Sequence, residues 1–134
     1  MPCLVIFACI HNAGRSQMAS AFFNAMADPA KAHSLSAGPE PADMVHPEGV
    51  EAMREAGIDI SGSSPRKLTA DLARGASLLV TMGCGEKCPF VPGLRRLDWD
   101  LPDPKGQARE MVRRIRDDIR SRVFQLASRE GWLA

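Results

Sequence analysis

The protein has 134 residues, with 17 basic and 16 acidic side chains and a formal net charge of +1. This length fits one domain, covering residues 1–134, that buries roughly two thirds of its unfolded surface. The near balance of interspersed charges argues against binding to nucleic acid or to an anionic membrane. No apolar stretch approaches the roughly 18 residues of a membrane span, and no basic region precedes the short N-terminal apolar run. We therefore expect a cytoplasmic protein, most simply a monomer.

The most informative segment is residues 9–16, which we call the anion loop. It follows an apolar run at 4–8, typical of a strand covered on both faces, and leads into an Ala- and Met-rich stretch with good helix propensity. A loop that enters the start of a helix presents unpaired backbone N–H groups, which bind anions. Cys9 opens this loop, and its thiolate, the nucleophilic form, is favoured by the helix start and by Arg15.

The other polar residues of the anion loop fit the same chemistry. Arg15 offers a planar fork for two oxygens of a tetrahedral oxyanion. Ser16 can donate its hydroxyl to the sulfur, and Asn12 tolerates the left-handed backbone of a tight loop. The pattern predicts attack of the Cys9 thiolate on a bound oxyanion such as phosphate or arsenate. The alternative is that Cys9 is an ordinary buried cysteine at the end of a strand.

The remaining chain alternates predicted strands and helices. Further strands are expected at 32–38, 76–82 and 94–99, and helices at 15–27, 47–56, 68–73 and 106–129. Such alternation predicts an α/β fold, a four-stranded parallel sheet with helices on both faces. Ligands bind beyond the carboxyl ends of parallel strands. Cys9, Cys84 and Asp103 each follow a predicted strand, so they should gather at one edge.

The last predicted helix has the most regular pattern. Its apolar residues recur at steps of three and four, one face of a helix with a period near 3.6: Ala108, Val112, Ile115, Ile119, Val123 and Leu126. On its other face the spacing predicts ion pairs of Glu110 with Arg114 and of Arg113 with Asp117.

Cys84 and Cys88 frame a glycine-rich loop on the same edge as Cys9. They could form half of a zinc site or be idle thiols, but no second ligand pair stands at a short spacing. The redox interpretation is that one thiol attacks an adduct on Cys9 and the other resolves it by thiol–disulfide exchange. Asp103 precedes Pro104 and is either the general acid that protonates a departing oxygen or part of an ordinary Asp-Pro turn.

Several motifs together identify a family. They are Cys9-Ile10-His11-Asn12-Ala13-Gly14-Arg15-Ser16-Gln17-Met18-Ala19, Ser36-Ala37-Gly38, His46-Pro47, Gly57-Ile58-Asp59-Ile60-Ser61, Val80-Thr81-Met82, Cys88-Pro89, Asp98-Trp99 and Asp103-Pro104. Over nearly its whole length the chain resembles the thioredoxin-coupled arsenate reductases of the low-molecular-weight protein tyrosine phosphatase superfamily. The resemblance implies a phosphatase-like, flavodoxin-like three-layer fold.

The resemblance also implies a mechanism for arsenic detoxification. Arsenate, with phosphate or sulfate as competing anions, would be held by the anion loop residues Ile10, His11, Asn12, Ala13, Gly14, Arg15 and Ser16. Cys9 would attack it while Asp103 supplies a proton, and Cys84 and then Cys88 would carry the disulfide onward. Electrons would come from thioredoxin, glutaredoxin or a small thiol, so no bound cofactor and no metal are implied. Some relatives bind potassium through a glutamate where this chain has Ser20, and we do not extend that ion to it.

Two alternatives remain open from the sequence. A low-molecular-weight phosphotyrosine phosphatase would use Cys9, Arg15 and Asp103 alike, with water in the second step. Phosphatases of this superfamily wall the pocket with aromatic residues after the Asp-Pro, whereas Lys105-Gly106 follows here and the chain has no tyrosine. A non-enzymatic protein that binds arsenite or a soft metal through its thiols would leave Arg15 and Ser16 without a role.

Overall fold

The computed structural model describes residues 2–83 and 87–134. Its elements, in chain order, are β1 (Cys3–Ala8), α1 (Arg15–Met26), β2 (Ala32–Ala37), α2 (Pro47–Glu55), α3 (Ala70–Arg74), β3 (Leu78–Thr81), β4 (Arg95–Asp98) and α4 (Arg109–Glu130). The four strands form one parallel sheet in the order β2-β1-β3-β4. The predicted α/β class and parallel sheet are confirmed, and each predicted element is present with ends shifted by a few residues.

The central position of β1 places the anion loop. β1 pairs with β2 along its length and with β3 from Val5 to Ala8. Its last four residues are fully buried because helices cover both faces of the sheet and strands flank both sides. Cys9 therefore emerges at the carboxyl edge of the sheet, between the ends of two neighbouring strands.

Alternate residues of β1 support two separate apolar clusters. Val5 and Phe7 face the larger cluster, which includes Cys9 and the buried faces of α1 and α4. Ile6 and Ala8 face the smaller cluster on the opposite side. A strand turns successive side chains to opposite faces, so the loop that follows β1 starts between two fully packed layers.

The long helix α4 confirms its predicted apolar face and corrects its predicted ion pairs. Val112, Ile115, Ile119, Val123 and Leu126 are buried in one stripe, whereas Ala108 precedes the helix and is exposed.

Arg113 does not pair with Asp117 as its spacing predicts. Its guanidinium donates to Glu55 of α2 at 2.6 and 3.0 Å, and Arg116 donates to the same carboxylate at 3.1 Å. Nε and Nη2 of Arg113 each donate to a different oxygen of the Glu55 carboxylate, and such a bidentate pair is stronger than a single hydrogen bond.

This pair of arginines gives a prediction about stability at acid pH. Hydrogen bonds, chiefly from Arg113, hold the pKa of the Glu55 carboxyl at about 2, below its ordinary 4.5. A folded-state pKa below the unfolded value stabilises the fold fully above pH 4.5, and this stabilisation is lost as the pH falls toward 2. We expect Glu55→Gln to lower the urea midpoint at pH 7, and the gap to wild type to shrink between pH 4.5 and 3.

The matched control is Glu51→Gln, because Glu51 pairs with Arg54 in the same helix and both side chains are more than half exposed. Such exposed pairs contribute little, so its midpoint should stay near that of wild type at every pH. A gap for Glu55→Gln that stays constant from pH 7 to pH 3 would contradict the assignment.

Within the described residues, no helix is both long and apolar enough to cross a membrane.

Candidate active site

A short chain of hydrogen bonds ends on the sulfur of Cys9. Cys9 is 3% exposed, and its Sγ lies 3.0 Å from the hydroxyl of Ser16. The side-chain amide of Asn12 donates to that hydroxyl at 2.7 Å. Because the Ser16 oxygen accepts from Asn12, its own proton is free to point at the sulfur. A hydrogen bond donated to a thiolate stabilises the charged form.

The backbone of the anion loop turns its carbonyls outward. The carbonyls of Ile10, His11 and Ala13 accept hydrogen bonds from the backbone N–H groups of Glu40, Ala42 and His46. In contrast, no hydrogen bond among the described residues has a backbone N–H of residues 10–14 as its donor. Asn12 adopts the predicted left-handed conformation, with φ of 49°. Unpaired N–H groups at the start of a helix are the donors that bind an oxyanion, so the predicted anion loop has the backbone arrangement it requires.

Arg15 is held at the mouth of the loop by backbone groups. Its guanidinium is nearly buried and donates to the carbonyl of Leu101 at 3.0 Å. Gly83, at the end of β3, lies against the same group. Its φ is +91°, and a Cβ built on it would be 2.6 Å from Arg15 Nη1. A glycine is therefore required there both for its backbone conformation and for the room it leaves.

Asp103 reaches the same edge, as predicted. One oxygen of its half-exposed carboxylate lies 4.0 Å from Arg15, and the other accepts from the backbone N–H of Lys105 at 3.0 Å. The next residue, Pro104, packs on the anion loop, since its ring would be 3.2 Å from a Cβ on Gly14. Asp103 thus stands beside the positive side chain of the loop and is open to solvent.

Cys88 lies close to this site, and Cys84 falls outside the described residues. Cys88 is buried in the smaller apolar cluster and is disulfide-bonded, whereas Cys3 and Cys9 are free thiols. Cys88 and Gly83 line the same open cavity of about 620 Å³, and Gly83 contacts Arg15.

An ion pair ties the segment that carries Cys88 to the anion loop. Lys87 bonds to Glu40 at 2.8 Å, and this interaction lowers the pKa of the Glu40 carboxyl. Glu40 also donates its backbone N–H to Ile10 at 2.9 Å. The residue before Cys88 is therefore connected to the anion loop through one side chain.

The sequence alone does not indicate the contacts that Gly38, Gly83 and Gln17 make with the site. Gly38, where β2 ends, leaves so little space that a Cβ would lie 2.3 Å from the carbonyl oxygen of Cys9. Gln17 belonged only to the family motif, yet it donates to both oxygens of Asn12. The glycine-proline pair at 38–39 indicates a turn in the sequence, but it does not indicate that this turn packs against the anion loop.

Two histidines lie in or near the anion loop, and no hydrogen bond between described residues joins either of them to Cys9 or Arg15. His11 is exposed, and its Nδ1 lies 2.8 Å from the carbonyl oxygen of Glu40. His46 has a buried Nδ1 without a hydrogen-bond partner among the described residues. No group of three or more His, Cys, Asp or Glu in the described part of the chain is placed to hold a metal.

The contact between Gly83 and Arg15 gives a second prediction. In Gly83→Ala the new methyl displaces the guanidinium from Leu101, since a side chain moves more easily than backbone. We expect the protein to fold and to bind phosphate about tenfold or more weakly in calorimetry, the loss typical of one charge-assisted hydrogen bond.

Gly93→Ala is the matched control, because Gly93 also has a positive φ, +82°, but no atom lies within 4 Å of the position that its Cβ would take. Both variants carry the same kind of backbone strain, so phosphate binding separates strain from displacement of Arg15. Equal weakening of phosphate binding in the two variants would contradict the proposed contact.

Comparison with known proteins agrees with this geometry. Residues 4–130 match the family model for low molecular weight phosphotyrosine protein phosphatase. A putative arsenate reductase of Halobacterium salinarum is 41% identical over 90% of this chain and 87% of its own length. A glutaredoxin arsenate reductase of Synechocystis is 34% identical over 93% and 96%.

Among solved structures, a thioredoxin-dependent arsenate reductase of Corynebacterium glutamicum superposes with a TM-score of 0.81 and is 38% identical. That match covers 95% of this chain and 61% of the other. The family model spans nearly the whole chain, and the two arsenate reductases of Halobacterium and Synechocystis align with this chain over most of their own length. The chain belongs to the low-molecular-weight phosphotyrosine protein phosphatase family.

Proposed function

We propose that this protein reduces arsenate to arsenite, with Cys9 as the nucleophile and thioredoxin as the electron donor, as part of arsenic detoxification. The observation that carries the proposal is the Cys9 sulfur at 3.0 Å from Ser16, at the start of a loop whose N–H groups have no described partner. The relatives named arsenate reductases support the choice of arsenate over phosphate esters.

The first step joins sulfur to arsenic. The loop N–H groups and Arg15 hold the arsenate oxygens, and the Cys9 thiolate attacks the arsenic. One oxygen leaves as water after taking a proton from Asp103, which stands open to solvent beside Arg15. The arsenic remains As(V) in this adduct, so no electrons have yet been transferred.

The second step reduces the arsenic. A thiolate of Cys84 attacks the sulfur of Cys9, the electron pair of the S–As bond stays on arsenic, and As(III) leaves as arsenite. Cys88 then attacks the Cys84 sulfur, which frees the Cys9 thiolate and leaves a Cys84–Cys88 disulfide. The attack of Cys84 breaks the S–As bond, and only the attack of Cys88 on the resulting disulfide is an ordinary thiol–disulfide exchange. The cavity shared by Cys88 and Gly83, and the Lys87–Glu40 pair, support a short path between Cys88 and the anion loop.

The reductant restores two thiols in each cycle. Thioredoxin, a dithiol, reduces a disulfide with two electrons and so completes the balance without a bound flavin, nicotinamide or metal. The Corynebacterium relative, named thioredoxin-dependent, favours this donor, whereas the Synechocystis relative is named for glutaredoxin. Both donors therefore enter the test.

The test is a coupled assay with arsenate, thioredoxin, thioredoxin reductase and NADPH, repeated with glutaredoxin and glutathione. We expect arsenate-dependent NADPH oxidation with thioredoxin, and loss of it in Cys84→Ser and Cys88→Ser. Asp103→Asn should lower kcat by about 10²-fold, the usual contribution of a general acid. Cys3→Ser, which changes a thiol at the far end of β1, is the matched control and should keep wild-type turnover.

Three results would overturn parts of the proposal. Turnover that survives in Cys88→Ser would remove Cys88 from the relay. Turnover only with glutaredoxin would replace the donor. No turnover with either donor, together with aryl phosphate hydrolysis that needs only Cys9, would identify a phosphatase.

A further inference from the structure

Gln17, in the first turn of α1, makes contacts that none of the proposed chemical steps uses. It is 5% exposed, and its side-chain nitrogen donates to the backbone carbonyls of Asn12 and Ser64 at 3.1 and 3.3 Å. Carbonyl oxygens only accept hydrogen bonds, so the atom of Gln17 at this point must be its NH₂ group. The same nitrogen lies 3.2 Å from the side-chain oxygen of Asn12.

The orientation of the Asn12 side chain follows from its donors. The backbone N–H of Arg66 donates to Asn12 Oδ1 at 2.8 Å, and a backbone N–H can only donate. Together with Gln17, this places two donors on one end of the amide. The opposite end, the NH₂ group of Asn12, must therefore face Ser16, to whose hydroxyl it donates at 2.7 Å.

The orientation of the Asn12 amide determines which hydrogen bond the Ser16 hydroxyl can donate. Ser16 has one proton, and its oxygen already accepts from Asn12, so the hydroxyl can donate to Cys9 Sγ at 3.0 Å. If Asn12 turned over, its oxygen would face Ser16 and would take that proton away from the sulfur. The direction of three successive hydrogen bonds thus depends on which end of Asn12 is held.

We infer that Gln17 is a positioning residue that holds the Asn12 amide so that Ser16 donates to the Cys9 thiolate. Gln17 touches neither sulfur nor substrate and acts only through Asn12 and Ser16. The inference rests on the proposed role of Cys9 as a thiolate nucleophile, but it concerns the reactivity of the free thiol and can be measured without arsenate.

The experiment follows alkylation of Cys9 by iodoacetamide in the fully reduced protein as a function of pH, read on the Cys9 peptide by mass spectrometry. Gln17→Met removes the donor at similar volume and without a change of charge. We expect the pH midpoint of Cys9 alkylation to rise by about half a unit to one unit, because a lost hydrogen bond disfavours the thiolate. Gln17→Leu, a good helix former, provides the same test if the methionine variant does not fold.

Ser16→Ala separates this relay from a general disturbance of the loop. It should raise the midpoint by itself, and Gln17→Met should then add less than about 0.2 units, since the path to the sulfur is already cut. The charged and titratable groups around the anion loop are unchanged in both variants and cannot produce this difference: His11, Arg15, His46, Arg66 and Asp103. Gln125→Met, on the exposed face of α4, controls for a glutamine change elsewhere.

The inference would be overturned if Gln17→Met raised the midpoint of Cys9 alkylation equally in the wild-type and Ser16→Ala backgrounds. It would also be overturned if Gln17→Met did not shift the midpoint in the wild-type background. These outcomes are distinct from failure of the proposed function. Normal arsenate turnover in wild type with no Gln17 effect refutes only the inference. If Gln17→Met shifts the Cys9 alkylation midpoint in a way that depends on Ser16, but the protein does not reduce arsenate, only the proposed function is refuted.

Discussion

Replacing Cys9 by serine is expected to abolish arsenate reduction while leaving anion binding in place. A serine hydroxyl cannot form the disulfide that carries the two electrons, so no other residue can complete the cycle. We expect kcat to fall by more than about 10⁴-fold, the scale of losing a catalytic nucleophile. Phosphate affinity by calorimetry should stay within about threefold of wild type, because the loop N–H groups and Arg15 are unchanged.

The control for this substitution is Cys3→Ser at the other end of β1, where Cys3 is partly buried against the larger cluster. It removes a thiol from the same strand and should leave turnover within about twofold of wild type. Arsenate-dependent turnover in Cys9→Ser above one hundredth of the wild-type rate would show that another thiol attacks arsenic. A loss of phosphate binding in Cys9→Ser would mean that the variant lost its loop geometry instead.

Gly38→Ala is expected to disrupt the anion loop from outside. Its Cβ would lie 2.3 Å from the carbonyl oxygen of Cys9, 2.7 Å from that of Ile10 and 3.0 Å from the nitrogen of Asn12. All three atoms are backbone, so the strand end and the loop must move apart. We expect a loss of about 2–3 kcal/mol in unfolding free energy, as for overpacking of a tight core, and a fall in kcat/KM of about 10²-fold or more.

Gly62→Ala is the matched control, because nothing lies within 4 Å of its Cβ position and its φ does not require glycine. It should unfold at the wild-type urea concentration and turn over at the wild-type rate. Wild-type stability and activity in Gly38→Ala would contradict the close packing of the β2 end on the anion loop.

The anion loop could be predicted because its signals are local. A buried strand, a cysteine, a residue that tolerates positive φ and an arginine at a helix start are read within one short segment. The contact of Ser16 with Cys9 and the left-handed Asn12 follow from that local geometry. The parallel sheet could also be predicted from the sequence, since strands separated by helices leave few other arrangements.

The long-range contacts could not be predicted, because they depend on how distant segments approach. Gly38 and Gly83 each face the anion loop across a large sequence separation, and the sequence indicates only that each stands where a predicted strand ends. Arg113 had an acidic residue at helical spacing, yet it bonds to Glu55 on another helix. Gln17 was visible as a motif residue, but its role depends on Arg66, which donates to the same oxygen of Asn12.

The most direct measurement is a single turnover of Cys88→Ser with one equivalent of arsenate, followed by peptide mass mapping under acid quench. Without the last thiol, the relay must stop after arsenite has left. We predict one equivalent of arsenite and a Cys9–Cys84 disulfide, with Cys3 free. Arsenite released with Cys9 unpaired, or no arsenite while wild type turns over, would contradict the attack of Cys84 on a Cys9–arsenic adduct.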